Sequence, residues 1–240
     1  MKVHLALIGF GVVGQGFAQI LVEKERFLWE RHGLECRVVA ISDIRKGAVM
    51  DADGLDLRRI LDLVRATGRI DGYEGGVKGL TSLETIRESN ADVVVEVTWT
   101  NLETGEPGHT HIRESLAQGR HVITTNKGPI ALAYHELKRL ADLKGVQLRF
   151  EGTVMSGTPV ISLALEDLAG LRIEAVRGIL NGTTNYILTE MERGKNYEEA
   201  LREAQRLGYA EADPTMDVEG WDAVAKILIL ANVVMGGRVK

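Results

Sequence analysis

The chain has 240 residues, 45% hydrophobic and 26% charged, with a formal net charge of −5. That is enough apolar material for one or two packed domains, which excludes global disorder, and the acidic balance lacks the basic footprint of a nucleic-acid binder. The lone cysteine, Cys36, excludes an internal disulfide and fits a reducing, cytoplasmic setting. The first residues carry no cleavage-site pattern. The longest apolar run, 227–237, is broken by Asn232 and falls well short of the ~20 residues that a membrane span needs.

Residues 3–8 (VHLALI) form a short apolar strand, followed by GFGVVGQG and an apolar-periodic helix to about Leu28. Residues 37–42 (RVVAIS) make a second strand closed by Asp43, and 44–58 read as a solvated loop. A helical spacing covers 55–66, a buried-type strand 91–97, and a helix 109–118 that stops at Gly119. Strand 120–124, helix 131–143 and strand 146–150 follow. Strands that alternate with helices, and that are apolar without polar alternation, predict a parallel sheet covered on both faces. The fold class is therefore α/β, a Rossmann-like doubly wound sheet over residues 1–150. After the glycine-rich stretch 151–160 the rhythm changes: helix 161–169, strand 173–180, then helices 184–193, 198–207 and 220–235. This predicts a second, α+β domain over 151–240.

Gly9, Gly11 and Gly14 form GxGxxG between the first strand and its helix. The first glycine permits the tight turn, the second lets backbone approach a pyrophosphate, and the third brings helix and strand together, with helix N–H groups aimed at the anion. Phe10, Val12 and Val13 lie within the same loop. Asp43, at the end of strand two, is placed to bond a ribose 2′-OH and favours NAD, whereas Arg45 and Lys46 directly after it suit a 2′-phosphate. The two signals conflict, and a solvated loop charge is the plain alternative for Arg45.

Two later segments stand out, GILNGTTNYIL (178–188) and GYAEADPTMDVEGWDAVAK (208–226). The second holds Glu211, Asp213, Asp217, Asp222 and Lys226. Asp222 and Lys226, at i and i+4, share a helix face that continues into Ile229, Leu230 and Val233. A charged pair on an inward-turning face is either a structural salt bridge or a working pair. By contrast, His109 and His111 at a helix start read as polar capping residues, and Cys36 lies in no nucleophile motif.

These segments, together with VITTNKGPIA (122–131), resemble the homoserine dehydrogenase family, in the family's order and over almost the whole chain. The resemblance implies reversible oxidation of L-homoserine to L-aspartate 4-semialdehyde with NAD(P), a step toward threonine and methionine. It implies Lys226, Lys127 and Asp222 as the catalytic group, with Glu211, Asp217 and Asp222 binding the amino-acid substrate. Thr98, Lys127 and Gly208 join the glycine loop, Asp43 and Arg45 on the cofactor side. Glu151 and the carbonyls of Val154, Ser156 and Thr158 match the family's monovalent-cation loop and would hold Na+; a tight inter-domain hinge is the alternative. A homodimer is implied as well. Family members continue past the point where this sequence stops, so the second domain is expected to be incomplete. Two other readings stay open: a related Rossmann semialdehyde or imine reductase, which would lack the two later segments, and a nonenzymatic dinucleotide sensor, which would not need Lys127, Asp222 and Lys226.

Overall fold

The computed structural model describes residues 1–239. In chain order the first part runs β1 (Lys2–Ile8), α1 (Val12–His32), β2 (Glu35–Asp43), β3 (Gly47–Met50), α2 (Leu57–Thr67), β4 (Val77–Lys78), α3 (Ser82–Glu88), β5 (Val93–Glu96), α4 (Gly108–Ala117), β6 (His121–Thr124), α5 (Lys127–Lys144) and β7 (Leu148–Arg149). The second part is α6 (Gly152–Met155), α7 (Val160–Ser162), a π-helical turn (Leu163–Asp167), α8 (Gly182–Glu192), α9 (Tyr197–Arg206), α10 (Thr215–Val218) and α11 (Trp221–Val233).

The strands form one seven-stranded sheet in the order β4-β3-β2-β1-β5-β6-β7. β1 pairs in parallel with both β2 and β5, and β6 continues in parallel from β5 to β7. β1 is thus the point where the strand order reverses, and the crevice beyond its carboxyl end is where such sheets bind ligands. Successive side chains on a strand point to opposite faces, so β1 feeds two cores. Leu5 and Leu7 join Ala18 and Leu21 of α1 and Ile60, Leu61 and Val64 of α2. Ala6 and Ile8 join Val39, Ala40, Val94 and Ile86 of α3. A third core holds Ile112 and Leu116 of α4, Val122, and Ile130 and Leu137 of α5. Ala225, Ile229, Leu230 and Val233 of α11 pack into that same core, which seats the second part of the chain on the first.

Four local expectations change. Residues 44–58 are not a plain loop: β3 pairs antiparallel with β2, and its Ala48 and Val49 are buried. α3 is an element that apolar spacing did not reveal; Thr81 and Glu84 form a capping box at its start, and that box was present in the sequence as TSLE. α5 begins at Lys127 rather than 131, because Pro129 lies in the first turn, where its missing N–H costs no intrahelical bond. Residues 173–180 form no strand. Val176 and Ile179 are exposed there, and among the described residues no strand lies alongside to supply a ladder.

Candidate active site

The glycine loop turns at the carboxyl end of β1, against the chain leaving β5. Gly9 has φ 96°, and a Cβ there would sit 2.6 Å from the Val97 carbonyl oxygen. A Cβ on Gly14 would lie 2.4 Å from the Gly9 carbonyl oxygen, so this glycine is what lets α1 close on the turn. Gly11 differs from both: a Cβ there would meet nothing within 4 Å. The open space at Gly11, with exposed Val12 and Val13 at the start of α1, is what an approaching pyrophosphate needs. The loop therefore fits a dinucleotide on geometry as well as on motif.

Phe10 is turned away from this space. Its ring is fully buried among the α1 and α2 side chains, and its N–H donates to Asp43 Oδ2 at 2.8 Å. Asp43 Oδ1 accepts from the N–H groups of Arg45 (2.9 Å) and Lys46 (3.0 Å). Burial opposes the charge on Asp43, and the three N–H groups outweigh it, holding the carboxyl below its usual range. The carboxylate expected to meet a ribose is thus already the clasp between the glycine loop and the β2–β3 turn. The Arg45 side chain is exposed and pairs with no carboxylate among the described residues. It is free to meet a phosphate.

The two lysines and Asp222 come together. Lys127 opens α5 and its Nζ lies 2.8 Å from Asp222 Oδ1; Lys226 Nζ lies 2.8 Å from Asp222 Oδ2. Lys226 also donates to the Leu180 carbonyl at 2.7 Å. The pair at i and i+4 is therefore more than a surface salt bridge. The side chain of Asp222 is 12% exposed and that of Lys226 15%, and a lysine from another element completes the group. Burial works against the Asp222 charge; Lys127, Lys226 and Asn181 prevail and hold its carboxyl below the ordinary range.

Sequence reasoning passed over Asn181. Its Oδ1 accepts from the Thr184 N–H and so caps α8, while its Nδ2 donates to Asp217 Oδ1 at 2.6 Å and to Asp222 Oδ2 at 2.9 Å. One amide thereby binds two of the expected substrate acids to a helix start. The signal was available, since an asparagine before an apolar-periodic run is an N-cap pattern. Glu211 and Gly208 lie on an exposed loop after α9, held by Gln205 Nε2 donating to the Glu211 carbonyl (3.1 Å) and Thr183 Oγ1 donating to the Tyr209 carbonyl (2.6 Å). Thr98 leaves β5 beside the glycine loop and donates its N–H to Glu96 Oε1 at 3.1 Å.

The expected cation loop divides. Both carboxylate oxygens of Glu151 are taken by donors: Ile161 N–H at 2.8 Å, Ser162 N–H at 2.8 Å and Ser162 Oγ at 2.5 Å. Its side chain anchors α7. Burial raises the Glu151 carboxyl and these donors more than offset it, leaving the net shift downward. Of the set, the carbonyls of Val154, Ser156 and Thr158 are the donors left to a hard cation, and that of Thr158 also accepts from Val160 N–H. Among the described residues, no cluster of three or more His, Cys, Asp or Glu forms a metal site.

Comparison with known proteins adds to this geometry. Residues 9–151 match the family described as homoserine dehydrogenase, NAD binding domain, and residues 159–240 match the homoserine dehydrogenase family. The homoserine dehydrogenase of Methanocaldococcus jannaschii is 50% identical over 97% of this chain and 69% of its own length. The chain belongs to the homoserine dehydrogenase family. The NAD(+)-dependent homoserine dehydrogenase of Pseudomonas canavaninivorans is 44% identical over 98% of this chain and 67% of its own. A hyperthermophilic archaeal homoserine dehydrogenase in complex with NADPH superposes with a TM-score of 0.86 at 34% identity, over 99% of this chain and 71% of that one. The chain thus spans about two thirds of the length of these relatives. Segments 178–188 and 208–226 both contribute to the cluster around Asp222, the first through Leu180 and Asn181 and the second through Asp217, Asp222 and Lys226.

Proposed function

We propose that the protein interconverts L-homoserine and L-aspartate 4-semialdehyde with NAD(P), the step that leads toward threonine and methionine. The observation that carries the reading is the Lys127–Asp222–Lys226 group, which spans two parts of the chain at the carboxyl edge of the sheet. The residues of 1–150 hold the dinucleotide and those of 151–240 the amino acid. The nicotinamide, when bound, accepts or returns the hydride at the alcohol carbon. The lysines carry the rest of the chemistry. An amine at the substrate hydroxyl takes its proton as the carbon–oxygen double bond forms, and the second ammonium stabilises the developing negative oxygen. Asp222 holds both nitrogens on one carboxylate, which keeps them converged before the substrate arrives. Asp217, Asp222 and the exposed Glu211 supply negative charge for the substrate ammonium. An absorbance assay tests the reading: homoserine-dependent reduction of NAD(P) at neutral to alkaline pH is expected, and its absence would overturn it.

Cofactor use extends to both dinucleotides. The free Arg45 supports a 2′-phosphate, and the relatives include one named for NAD(+) and one seen with NADPH. Sodium, if taken, is held by the carbonyls of the 154–158 loop, with Glu151 shaping that loop; no catalytic step depends on it. The protein acts on a small molecule, and among the described residues no helix is long and apolar enough to cross a membrane. A cytoplasmic homodimer is the assembly we favour, supported by the exposed apolar side chains of Leu171, Val176 and Ile179 and by the free Cys36. Sedimentation of the purified protein reads the assembly directly.

A further inference from the structure

Behind the glycine loop lies a buried polar network that the catalytic group does not include. Glu96, the last residue of β5, is wholly buried. Its Oε1 accepts from the N–H and the hydroxyl of Thr98, and its Oε2 accepts from Thr124 Oγ1 at 3.1 Å. Thr124 in turn accepts from the Asn126 N–H at 2.9 Å. Asn126, also buried, donates Nδ2 to the Trp99 carbonyl at 3.2 Å and accepts from Thr100 Oγ1 at 3.0 Å. His111 stands on the far side, its Nδ1 3.7 Å from Glu96 Oε1 and without a hydrogen-bond partner among the described residues. Two chain segments are joined in this way. One is 98–100, which leaves β5 against the glycine loop. The other is 124–126, which delivers Lys127 to Asp222.

We infer that Glu96 is a positioning residue for the reaction: through Thr98 on one side, and Thr124 and Asn126 on the other, it sets the spacing between the cofactor crevice and Lys127. A carboxylate suits this task because it only accepts, and the three groups that meet it at the two strand ends, the Thr98 N–H, the Thr98 hydroxyl and the Thr124 hydroxyl, all donate. An apolar core residue at this position could pack the strand ends together without fixing either hydroxyl. Placing a charge-bearing group at zero exposure is costly unless its hydrogen bonds are satisfied. The network therefore returns geometric precision, and reactions that need aligned donor, acceptor and proton carrier are sensitive to shifts of about 1 Å.

This inference rests on the dehydrogenase reading, and its test keeps the two apart. Glu96→Gln preserves the shape but replaces one acceptor by a donor facing Thr124. NAD(P)H fluorescence titration and homoserine kinetics would be measured on the same preparations, well below each variant's Tm. The expected result for Glu96→Gln is a kcat loss of about 10- to 100-fold, a weaker NAD(P)H Kd, and a homoserine KM within about threefold of the parent, because the Asn181, Asp217 and Asp222 contacts are untouched. Thr124→Val cuts only the β6 side, so kcat should fall with NAD(P)H Kd unchanged, and Thr124→Ser, which keeps the hydroxyl, should restore it. Thr124→Val decides the matter alone if Glu96→Gln does not fold. Parent-like kcat and Kd in the folded variants, or losses that follow Tm and vanish on cooling, would overturn the inference. If the parent itself turns over no homoserine, the dehydrogenase reading fails, and the NAD(P)H Kd of Glu96→Gln still tests the positioning role.

Discussion

Asp222 is the residue on which the site converges, because two lysines and one amide share its two oxygens. Removing either lysine should lower kcat by about 10²-fold or more if that lysine carries the proton; steady-state kinetics of Lys127→Ala and Lys226→Ala decide which one does. Asp222→Asn should lower kcat and raise homoserine KM together, since on the proposed function the group both orders the lysines and faces the substrate. Its ionisation also bears on stability. The folded carboxyl sits below its ordinary value, so the stabilisation is fully present above about pH 3.9 and is lost as pH falls through the lower folded value. Urea unfolding should therefore show parent and Asp222→Asn differing most at neutral pH and converging in acid. Arg45 belongs to the same scale. Its exposed guanidinium, with no carboxylate partner among the described residues, predicts that Arg45→Ala weakens NADP binding far more than NAD binding, and equal losses in the two titrations would return it to a solvated charge.

At the scale of elements, the glycine loop separates packing from ligand approach. Gly14→Ala would push a methyl into the Gly9 carbonyl, and it should lower Tm and dinucleotide affinity together. Gly11 has open space beside it and a φ of −75°, so Gly11→Ala should keep its Tm and still bind NAD(P)H more weakly. Thermal melts beside fluorescence titrations separate the two cases. These elements were legible because their patterns are local: apolar strands, glycine spacing, helix periodicity. Three things were less so. β3 is four residues long and owes its burial to β2 and α2 rather than to its own composition. The stretch 173–180 has the residues of a strand, and strand residues alone do not make a ladder. Asp43 and Glu151 were legible as acids at the right places, yet their tasks depend on which N–H groups the tertiary fold turns toward them. The same holds for Asn181 and Glu96, whose partners lie between 2 and 41 residues away.

Over the whole molecule, the spacing of the Lys127–Asp222–Lys226 group, and with it the geometry of the proposed reaction, depends on how α11 sits on α5. Lys127 begins α5 and Lys226 lies in the middle of α11, and the side chains below them form one apolar core: Ile130, Ala131 and Leu137 from α5, with Ala225, Ile229, Leu230 and Val233 from α11. The cofactor loop is backed by a different core, that of α1 and α2, in which Ile60 is equally buried. Two substitutions of the same chemistry should thus have unlike effects. Ile229→Ala and Ile60→Ala each remove a fully buried side chain and should each cost about 2–5 kcal/mol of stability. Ile229 lies one turn from Lys226, so its loss lets α11 shift on α5 and changes where the lysine points. Well below Tm, Ile229→Ala should lose kcat while binding NAD(P)H as the parent does. Ile60→Ala should keep its kcat at saturating cofactor, its stability loss notwithstanding. Paired melts and kinetics read both quantities, and equal kcat in the two variants would mean that the Lys127–Asp222 ion pair, rather than the helix packing beneath it, holds the catalytic group in place.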